Sequence, residues 1–221
     1  MVRKKATTLV KMMSNGNSYE IDKLRYDQIE SLCFYAKDNM TSPYVFHTLA
    51  HIYDADAFKQ TKRNFIKLFK RQLKKKFKSL KQELPSTLLA YSVEFKKTTQ
   101  KEIDNDADAY RVGNSVWGIS EEELDFLHIH IYVIADCKKT IPNSCIQKIL
   151  EVLNEMDGLR AARYFNSRKN QQFYMKLKDD FDNVFQRMLY IGKIEQKTAD
   201  IPYRNTFGMS TLPIADIKEA A

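Results

Sequence analysis

The order of apolar and polar residues changes near Pro85, and the two sides of this proline predict different elements. Before Pro85, apolar residues recur every three or four positions, which is typical of helices. The clearest such stripe comprises Ile66, Phe69, Leu73, Phe77 and Leu80. The sequence therefore predicts helices over residues 20–83, ended by the proline, and a flexible arm over residues 1–17.

After Pro85, apolar and polar residues alternate, as they do in β-strands with one buried face. The alternation predicts strands at Leu88–Phe95, Tyr110–Ile119, Phe126–Ala135 and Leu159–Asn166. One helix is predicted after Pro142, where Ser144 with Gln147 fits a capping box. Another is predicted over Lys178–Glu195. The order β-β-β-α-β-α with short connections favours an α+β fold, an antiparallel sheet with flanking helices.

Composition adds limits to this picture. The chain has 221 residues, of which 43% are hydrophobic and 29% are charged, enough for one domain with an accessory segment. The basic N-terminus has no long apolar stretch after it, so we expect neither a signal peptide nor a membrane span. The three cysteines lack paired C-x-x-C spacing. Free thiols in the reducing cytoplasm are the simplest expectation, and hence a cytoplasmic protein.

The net charge of +8 is concentrated in one stretch of the sequence. Between Lys62 and Lys81 there are ten Lys or Arg residues and no acidic residue. A solvated helix face is the ordinary explanation of a charge run, and an acidic membrane surface is a competing partner. The missing acids favour a phosphate-binding surface, and hence nucleic acid. The DNA-binding candidates in this stretch are Lys62, Arg63, Lys67, Lys70, Arg71 and Lys74.

The segment Phe126–Ala135, FLHIHIYVIA, places two histidines one residue apart in an apolar run. Because side chains alternate along a strand, His128 and His130 point to the same face, with Tyr132 beside them. Two imidazoles side by side on a rigid strand can bind one divalent metal ion. The alternative is a pair of ordinary polar residues on a half-buried strand.

A second motif lies near the end of the last predicted helix. Tyr190 and Lys193 are three residues apart and therefore share a helix face. A half-buried tyrosine with no chemical role is the alternative for Tyr190 taken alone. Together with a metal held by histidines, a tyrosine could attack a phosphodiester, and a lysine could stabilise the charge that develops.

These residues, in this order, resemble the HUH endonuclease superfamily of rolling-circle replication initiators, relaxases and related transposases. The stretch YIGKIEQKTADIPYRNTFGMS is similar to replication proteins of the inovirus Gp2 type and their prophage relatives of the YagK/YfjJ type. Those proteins carry Tyr-x-x-Lys, a Thr-Lys-like pair and Arg-x-Phe-Gly-x-Ser. In this chain the last element, Arg204–Ser210, is one residue longer.

The resemblance covers residues 86–210 and implies an HUH nuclease domain with an RRM-like sheet. Residues 1–85 would be a basic helical N-terminal segment and residues 211–221 a tail. His128 and His130 would bind Mg²⁺ or Mn²⁺, and Tyr190 would nick one DNA strand through a 5′-phosphotyrosine, assisted by Lys193. The family supplies a third metal ligand, for which Glu121 is the first choice. Its rivals are Glu122 and Glu94.

The resemblance also implies partners. Single-stranded and origin DNA would be bound near the nick by the basic helices, together with Lys197 and Arg204. The sequence lacks the Gly-x-x-x-x-Gly-Lys-Ser/Thr loop of an ATP-driven helicase, so a host helicase and polymerase would be needed. The alternatives are a non-catalytic DNA-binding regulator on the same scaffold and a single-tyrosine transposase or relaxase.

His47 and His51 are four residues apart, which is the spacing of the two histidines in the helix of zinc proteases. Thr48 follows His47 where those enzymes have their glutamate, so the general base is missing. We therefore interpret His47 and His51 as ordinary helix residues.

Overall fold

The computed structural model describes residues 7–11, 18–99, 109–110, 123–165, 174–194, 201–203 and 205–212. Within these ranges the chain forms nine strands and five α-helices. In order they are β1 (Thr7–Lys11), β2 (Ser18–Asp22), α1 (Lys23–Asn39), β3 (Pro43–Ile52), α2 (Ala55–Arg63), α3 (Phe65–Ser79), β4 (Thr87–Thr99), β5 (Ala109–Tyr110), β6 (Glu123–Asp136), α4 (Pro142–Asn154), β7 (Leu159–Phe165), β8 (Met175–Lys176), α5 (Phe181–Leu189) and β9 (Phe207–Met209). A 3₁₀ turn over Tyr190–Gly192 continues α5.

The main sheet has the strand order β5-β7-β3-β6-β4-β9, and β8 pairs with β3 beside β7. Each of these pairings is antiparallel. β6 lies between β3 and β4 and pairs with β4 from Glu123 to Ala135, so the strand with the two histidines is central. β1 and β2 form a separate two-stranded sheet. The α+β class and the antiparallel sheet with flanking helices are confirmed.

Both faces of the main sheet are covered by helices. On β6, Ile129, Ile131 and Val133 pack with α3 and α4 in one core cluster, and we call this side the basic-helix face. Tyr132 and Ile134 pack with α1 and α5 in a second cluster, on the side we call the histidine face. Because strand side chains alternate, His128 and His130 belong to the histidine face. The helices α2 and α3 therefore lie across the sheet from the histidines.

The prediction that residues 20–83 form helices is wrong at β3. This strand is buried almost throughout because both of its faces are covered, so its sequence lacks the polar–apolar alternation of a one-sided strand. The first predicted helix begins only at Lys23, where the Asp22 side chain accepts hydrogen bonds from the backbone N–H groups of Leu24 and Arg25. β1 also lies within the predicted flexible arm.

Because β3 pairs with β6, the main sheet takes strands from both sides of residue 85, where the sequence analysis divided the chain. The strands predicted at residues 88–95, 126–135 and 159–166 are confirmed. The strand predicted at residues 110–119 lies mostly outside the described residues.

Two helix ends differ from the prediction. α4 begins with Pro142 at its first position, and Ser144 lies inside the helix, where its hydroxyl accepts a hydrogen bond from Lys148 Nζ instead of capping the terminus. α5 is shorter than the predicted helix over Lys178–Glu195 because its last turn tightens into the 3₁₀ turn at Tyr190.

The described residues include all three cysteines and the five α-helices. The three cysteines are free thiols, as predicted from their number and spacing, and all three are buried. No helix in the described ranges is both long enough and apolar enough to cross a bilayer.

Candidate metal centre

Three ligand side chains meet on the histidine face of the two central strands. Strand pairing sets Glu94 on β4 directly opposite His128 on β6, and His130 follows two residues along β6. One ligand atom from each of the three side chains lies within 4.8 Å of the other two. Glu94 is fully buried and each histidine is only 2% exposed. The described residues therefore contain a group that could hold a metal ion.

The hydrogen bonding of His128 leaves one ring nitrogen available as a ligand. Its Nδ1–H donates to the backbone carbonyl of Phe126 at 3.0 Å, and its ring stacks on the Phe126 ring with centroids 4.7 Å apart. Nε2 therefore carries the lone pair. Burial lowers the pKa of His128 to about 3, although the backbone hydrogen bond opposes this shift. The imidazole is thus neutral, as a metal ligand must be.

His130 is held in a similar way by a third histidine. Its Nδ1 lies 3.0 Å from Nε2 of His47 on β3, and its own Nε2 lies 3.7 Å from Glu94 Oε2. Burial and the charges of Arg187 and Lys193 keep the pKa of His47 well below 6.5, so that this ring is neutral. If His47 accepts the Nδ1–H of His130, then Nε2 of His130 is the ring nitrogen that would bind a metal.

The carboxylate of Glu94 has polar neighbours on each oxygen. Oε1 accepts a hydrogen bond from Ser92 Oγ at 3.4 Å, and Oε2 lies 3.4 Å from Lys193 Nζ. A buried carboxylate keeps its charge only when such partners offset the loss of water. Two imidazoles and one carboxylate form a donor set that suits a divalent metal ion, so the residues fit the group.

The turn after α5 places Tyr190 and Lys193 at this cluster. The backbone of Lys193 forms a β-bridge with Ile21, and Ile194 N–H donates to the carbonyl of Glu20 at 2.9 Å. Gly192 allows this close approach, because a Cβ atom there would lie 2.9 Å from Ile21 Cγ2. The end of the turn is therefore fixed against β2.

Within the turn, the two predicted catalytic side chains contact each other and the cluster. Lys193 is 3% exposed, and its Nζ lies 3.6 Å from the centroid of the Tyr190 ring. The half-buried Tyr190 ring packs edge-on against His130, with centroids 5.3 Å apart. On the neighbouring turn of α5, the carbonyl of Arg187 accepts a hydrogen bond from Tyr132 at 2.7 Å. This bond ties the helix to the histidine strand.

Other predicted site residues are placed elsewhere or are not described. Glu121, Glu122, Lys197 and Arg204 lie outside the described residues, so their roles stay predictions. The basic residues from Lys62 to Lys74 belong to α2 and α3, which pack on the opposite side of the sheet from the histidines. The structure thus places Tyr190 and Lys193 against the group of Glu94, His128 and His130, whereas α2 and α3 lie on the other side of the sheet.

Sequence reasoning missed His47, which it assigned to a helix. Residues four apart share a face in a strand as well as in a helix, so the spacing of His47 and His51 was ambiguous. The signal that favoured a strand was the run of β-branched and aromatic residues, PYVFHTLAHI. In β3, His47 points to the histidine face and stacks on Tyr132, with ring centroids 4.0 Å apart.

Comparisons with known proteins place no further constraint on the site. No protein-family model, no curated protein and no solved structure matches the chain.

Proposed function

We propose that this protein is a metal-dependent, single-strand DNA endonuclease of the HUH type that nicks through Tyr190 to initiate rolling-circle replication of a phage or plasmid-type element. The observation that supports it best is that Tyr190 and Lys193, from the turn after α5, pack against the Glu94–His128–His130 cluster of the central strands. A tyrosine, a buried lysine and a metal-binding group are the parts that this reaction requires.

The metal in this proposal is Mn²⁺ or Mg²⁺, held by His128, His130 and Glu94. When bound, it would act as a Lewis acid on a non-bridging oxygen of the scissile phosphodiester. Imidazole ligands are more usual for Mn²⁺ than for Mg²⁺, which makes Mn²⁺ the better fit to this set. Glu94 takes the place that the sequence analysis gave first to Glu121.

Tyr190 is the nucleophile of the proposed reaction. Its phenolic oxygen bonds to phosphorus and the bond from phosphorus to the 3′ oxygen breaks, which leaves a 5′-phosphotyrosine and a free 3′-hydroxyl. The phenol loses one proton and the 3′ oxygen gains one, so the transesterification is balanced. The ammonium of Lys193, which lies over the Tyr190 ring, stabilises the phenolate and the charge on the phosphoryl oxygens.

The architecture is compatible with this proposal. The histidine pair lies on the central strand of an antiparallel sheet, and a helix follows β6 before β7. The candidate nucleophile comes from the last described helix, next to the sheet face with the histidines. An HUH nuclease would have this arrangement, although a shared scaffold does not by itself establish a shared reaction.

The experiment that tests the proposal is an assay for a covalent protein–DNA adduct. Purified protein is incubated with single-stranded oligonucleotides from the sequence around its own gene, with Mn²⁺ or with EDTA, and run on a denaturing gel. A band of reduced mobility that requires metal and disappears in Tyr190→Phe supports the proposal. Tyr53→Phe is the matched control, because Tyr53 is an exposed tyrosine just beyond β3 and lies outside the cluster.

A non-catalytic DNA-binding protein on the same scaffold is the second candidate. It is favoured by the ion pair between Glu94 and Lys193, since a cluster closed by such a pair also suits a purely structural role. This candidate predicts DNA binding that EDTA does not change and no covalent adduct on any oligonucleotide. The adduct assay therefore separates the two functions directly.

A further inference from the structure

A cationic groove lies on the other side of the sheet from the metal centre. It has a volume of about 520 Å³ and opens between the start of α3 and the edge strand β9. Tyr91 of β4 and Ser210, just after β9, also line it. The basic side chains that line it are Lys62, Arg63, Lys67 and Lys70.

These four cations have no acidic partner in the described part of the chain. The ion pairs that α3 forms with carboxylates there involve Lys76. Lys62 is held in position by the ring of Tyr203, whose centroid lies 5.3 Å from Nζ. Lys62 and Lys70 are half-buried, and this loss of water lowers the pKa of both ammonium groups. An anion in the groove would replace that water and stabilise both charges.

The start of α3 adds backbone donors to the groove. The first intrahelical hydrogen bond runs from Leu68 N–H to the carbonyl of Asn64, and Asn64 supplies no side-chain cap. The N–H groups of residues 65–67 therefore have no partner within the helix and lie at the positive end of its dipole. Such a helix end binds phosphate well when other groups complete the site.

Tyr91 is a second and independent sign of a ligand. The residue is only 6% exposed, yet its hydroxyl has no hydrogen-bond partner among the described residues. Its ring lies over Gly208, where a Cβ atom would come within 2.4 Å of Tyr91 Cε1. The missing side chain at Gly208 thus lets a nearly buried phenol line the groove, where its hydroxyl can donate to a ligand.

We propose that this groove binds the phosphate backbone of a DNA strand, at a site separate from the metal centre and on the opposite face of the sheet. Lys67, Lys70 and the first turn of α3 would contact one phosphate group, and Tyr91 would donate a hydrogen bond to it. The proposal does not depend on nuclease activity, because the groove contains none of the candidate catalytic residues.

An acidic membrane surface fits the same charge less well. The apolar side chains of α3, including Phe69, Leu73 and Phe77, are buried against the sheet and α4. A helix that binds a bilayer needs an apolar face to insert, whereas the half-buried Ile66 and Leu68 of α3 pack against the core. Among the large apolar side chains of this region, Leu80, just after the end of α3, is exposed. A concave site with directed N–H and O–H donors favours a phosphodiester instead.

The test is a DNA-binding measurement in EDTA on the Tyr190→Phe protein, which removes the proposed nuclease reaction. Fluorescence anisotropy of a labelled 20-nucleotide oligo(dT) is followed for Lys67→Glu/Lys70→Glu and for Lys75→Glu/Lys78→Glu. The second pair lies on α3 outside the groove and makes the same change in net charge. We expect the groove pair to weaken binding by about tenfold or more, against less than threefold for the control pair. The loss of one phosphate contact should also lower the slope of log K against log salt concentration by about 0.7.

Tyr91→Phe provides a variant that keeps the buried ring and loses only the hydroxyl. We expect it to weaken oligo(dT) binding several-fold while the unfolding temperature stays the same. Equal loss in the two lysine pairs would overturn the proposal, since it would indicate a diffuse positive field. The proposal would also be overturned if phosphatidylserine vesicles bind, with a loss in the groove pair, while oligo(dT) fails to bind.

Discussion

Lys193 Nζ lies 3.4 Å from Glu94 Oε2, and both side chains are almost completely buried. The two residues come from the turn after α5 and from β4, so their contact joins the helix of the candidate nucleophile to the strand of a candidate metal ligand. The pair offsets the loss of water around each charge, and it holds Lys193 beside Tyr190.

Removing Lys193 should therefore destabilise the fold. We expect Lys193→Met to lower the free energy of unfolding by about 3–5 kcal/mol, because the buried Glu94 carboxylate loses its cationic partner. Adding Glu94→Gln to this variant should restore much of the loss. Urea unfolding followed by circular dichroism measures both, and a loss below about 1 kcal/mol in the single variant would show that the pair behaves like a surface ion pair.

Metal binding should depend on the three clustered ligands. Isothermal titration of the metal-free protein with Mn²⁺ should give one site, and saturation at a hundred times Kd should stabilise the fold by about 2.7 kcal/mol. His128→Gln and Glu94→Gln should abolish the site. The control is His51→Gln. His51 lies on β3 and pairs with His128 of β6, but it does not belong to the cluster. Unchanged Mn²⁺ binding in His128→Gln would rule out this ligand set.

His47 should act on metal affinity through His130. His47→Leu removes the ring nitrogen that lies 3.0 Å from Nδ1 of His130 and can accept its proton in a hydrogen bond, and we expect Mn²⁺ affinity to fall by about 10–100-fold. His47→Gln keeps an oxygen that can accept this hydrogen bond and should restore most of the affinity. The same titration measures both variants. Equal affinities in the leucine and glutamine variants would indicate that His47 has only a packing role.

The stability of the metal-free protein should fall in acid below about pH 6.5. The pKa of His128 is about 3 when folded, below its ordinary value of 6.5, so between these two pH values the unfolded chain binds a proton that the folded chain does not. Each pH unit in that window costs about 1.4 kcal/mol per such histidine. His51, with a folded pKa of about 4, contributes in the same direction.

Urea unfolding at a series of pH values measures this dependence. Replacing His128 with Gln should make the fall between pH 6 and pH 4 less steep by about 1 kcal/mol per pH unit. A slope that is the same in the variant and the parent would contradict the buried, neutral state of His128.

The sequence predicted the parts of the site that lie within one strand or one helix turn. The alternation in β6 put His128 and His130 on one face, and the structure confirms this because the strand is buried and cannot shift by one residue. The choice of the third ligand needed the pairing of β4 with β6, which brings Glu94 to His128, and strand pairing cannot be read from either strand alone. That is why Glu121 and Glu94 could not be separated beforehand.

The contribution of β3 could not be predicted for a related reason. A strand covered on both faces shows no alternation, and its neighbours in the sequence are helices, so the periodicity over residues 20–83 favoured one helical segment. The position of the basic helices relative to the sheet also depended on packing. Their apolar stripe was clear, but nothing in the sequence indicated which face of the sheet it would cover.

The measurement that tests the central claim most directly is mass spectrometry of the covalent adduct formed with a single-stranded oligonucleotide and Mn²⁺. After nuclease and protease digestion, the account predicts that the peptide containing Tyr190 carries a nucleotide attached through its 5′ phosphate. A nucleotide on any other residue, or no adduct although the oligonucleotide binds, would contradict it.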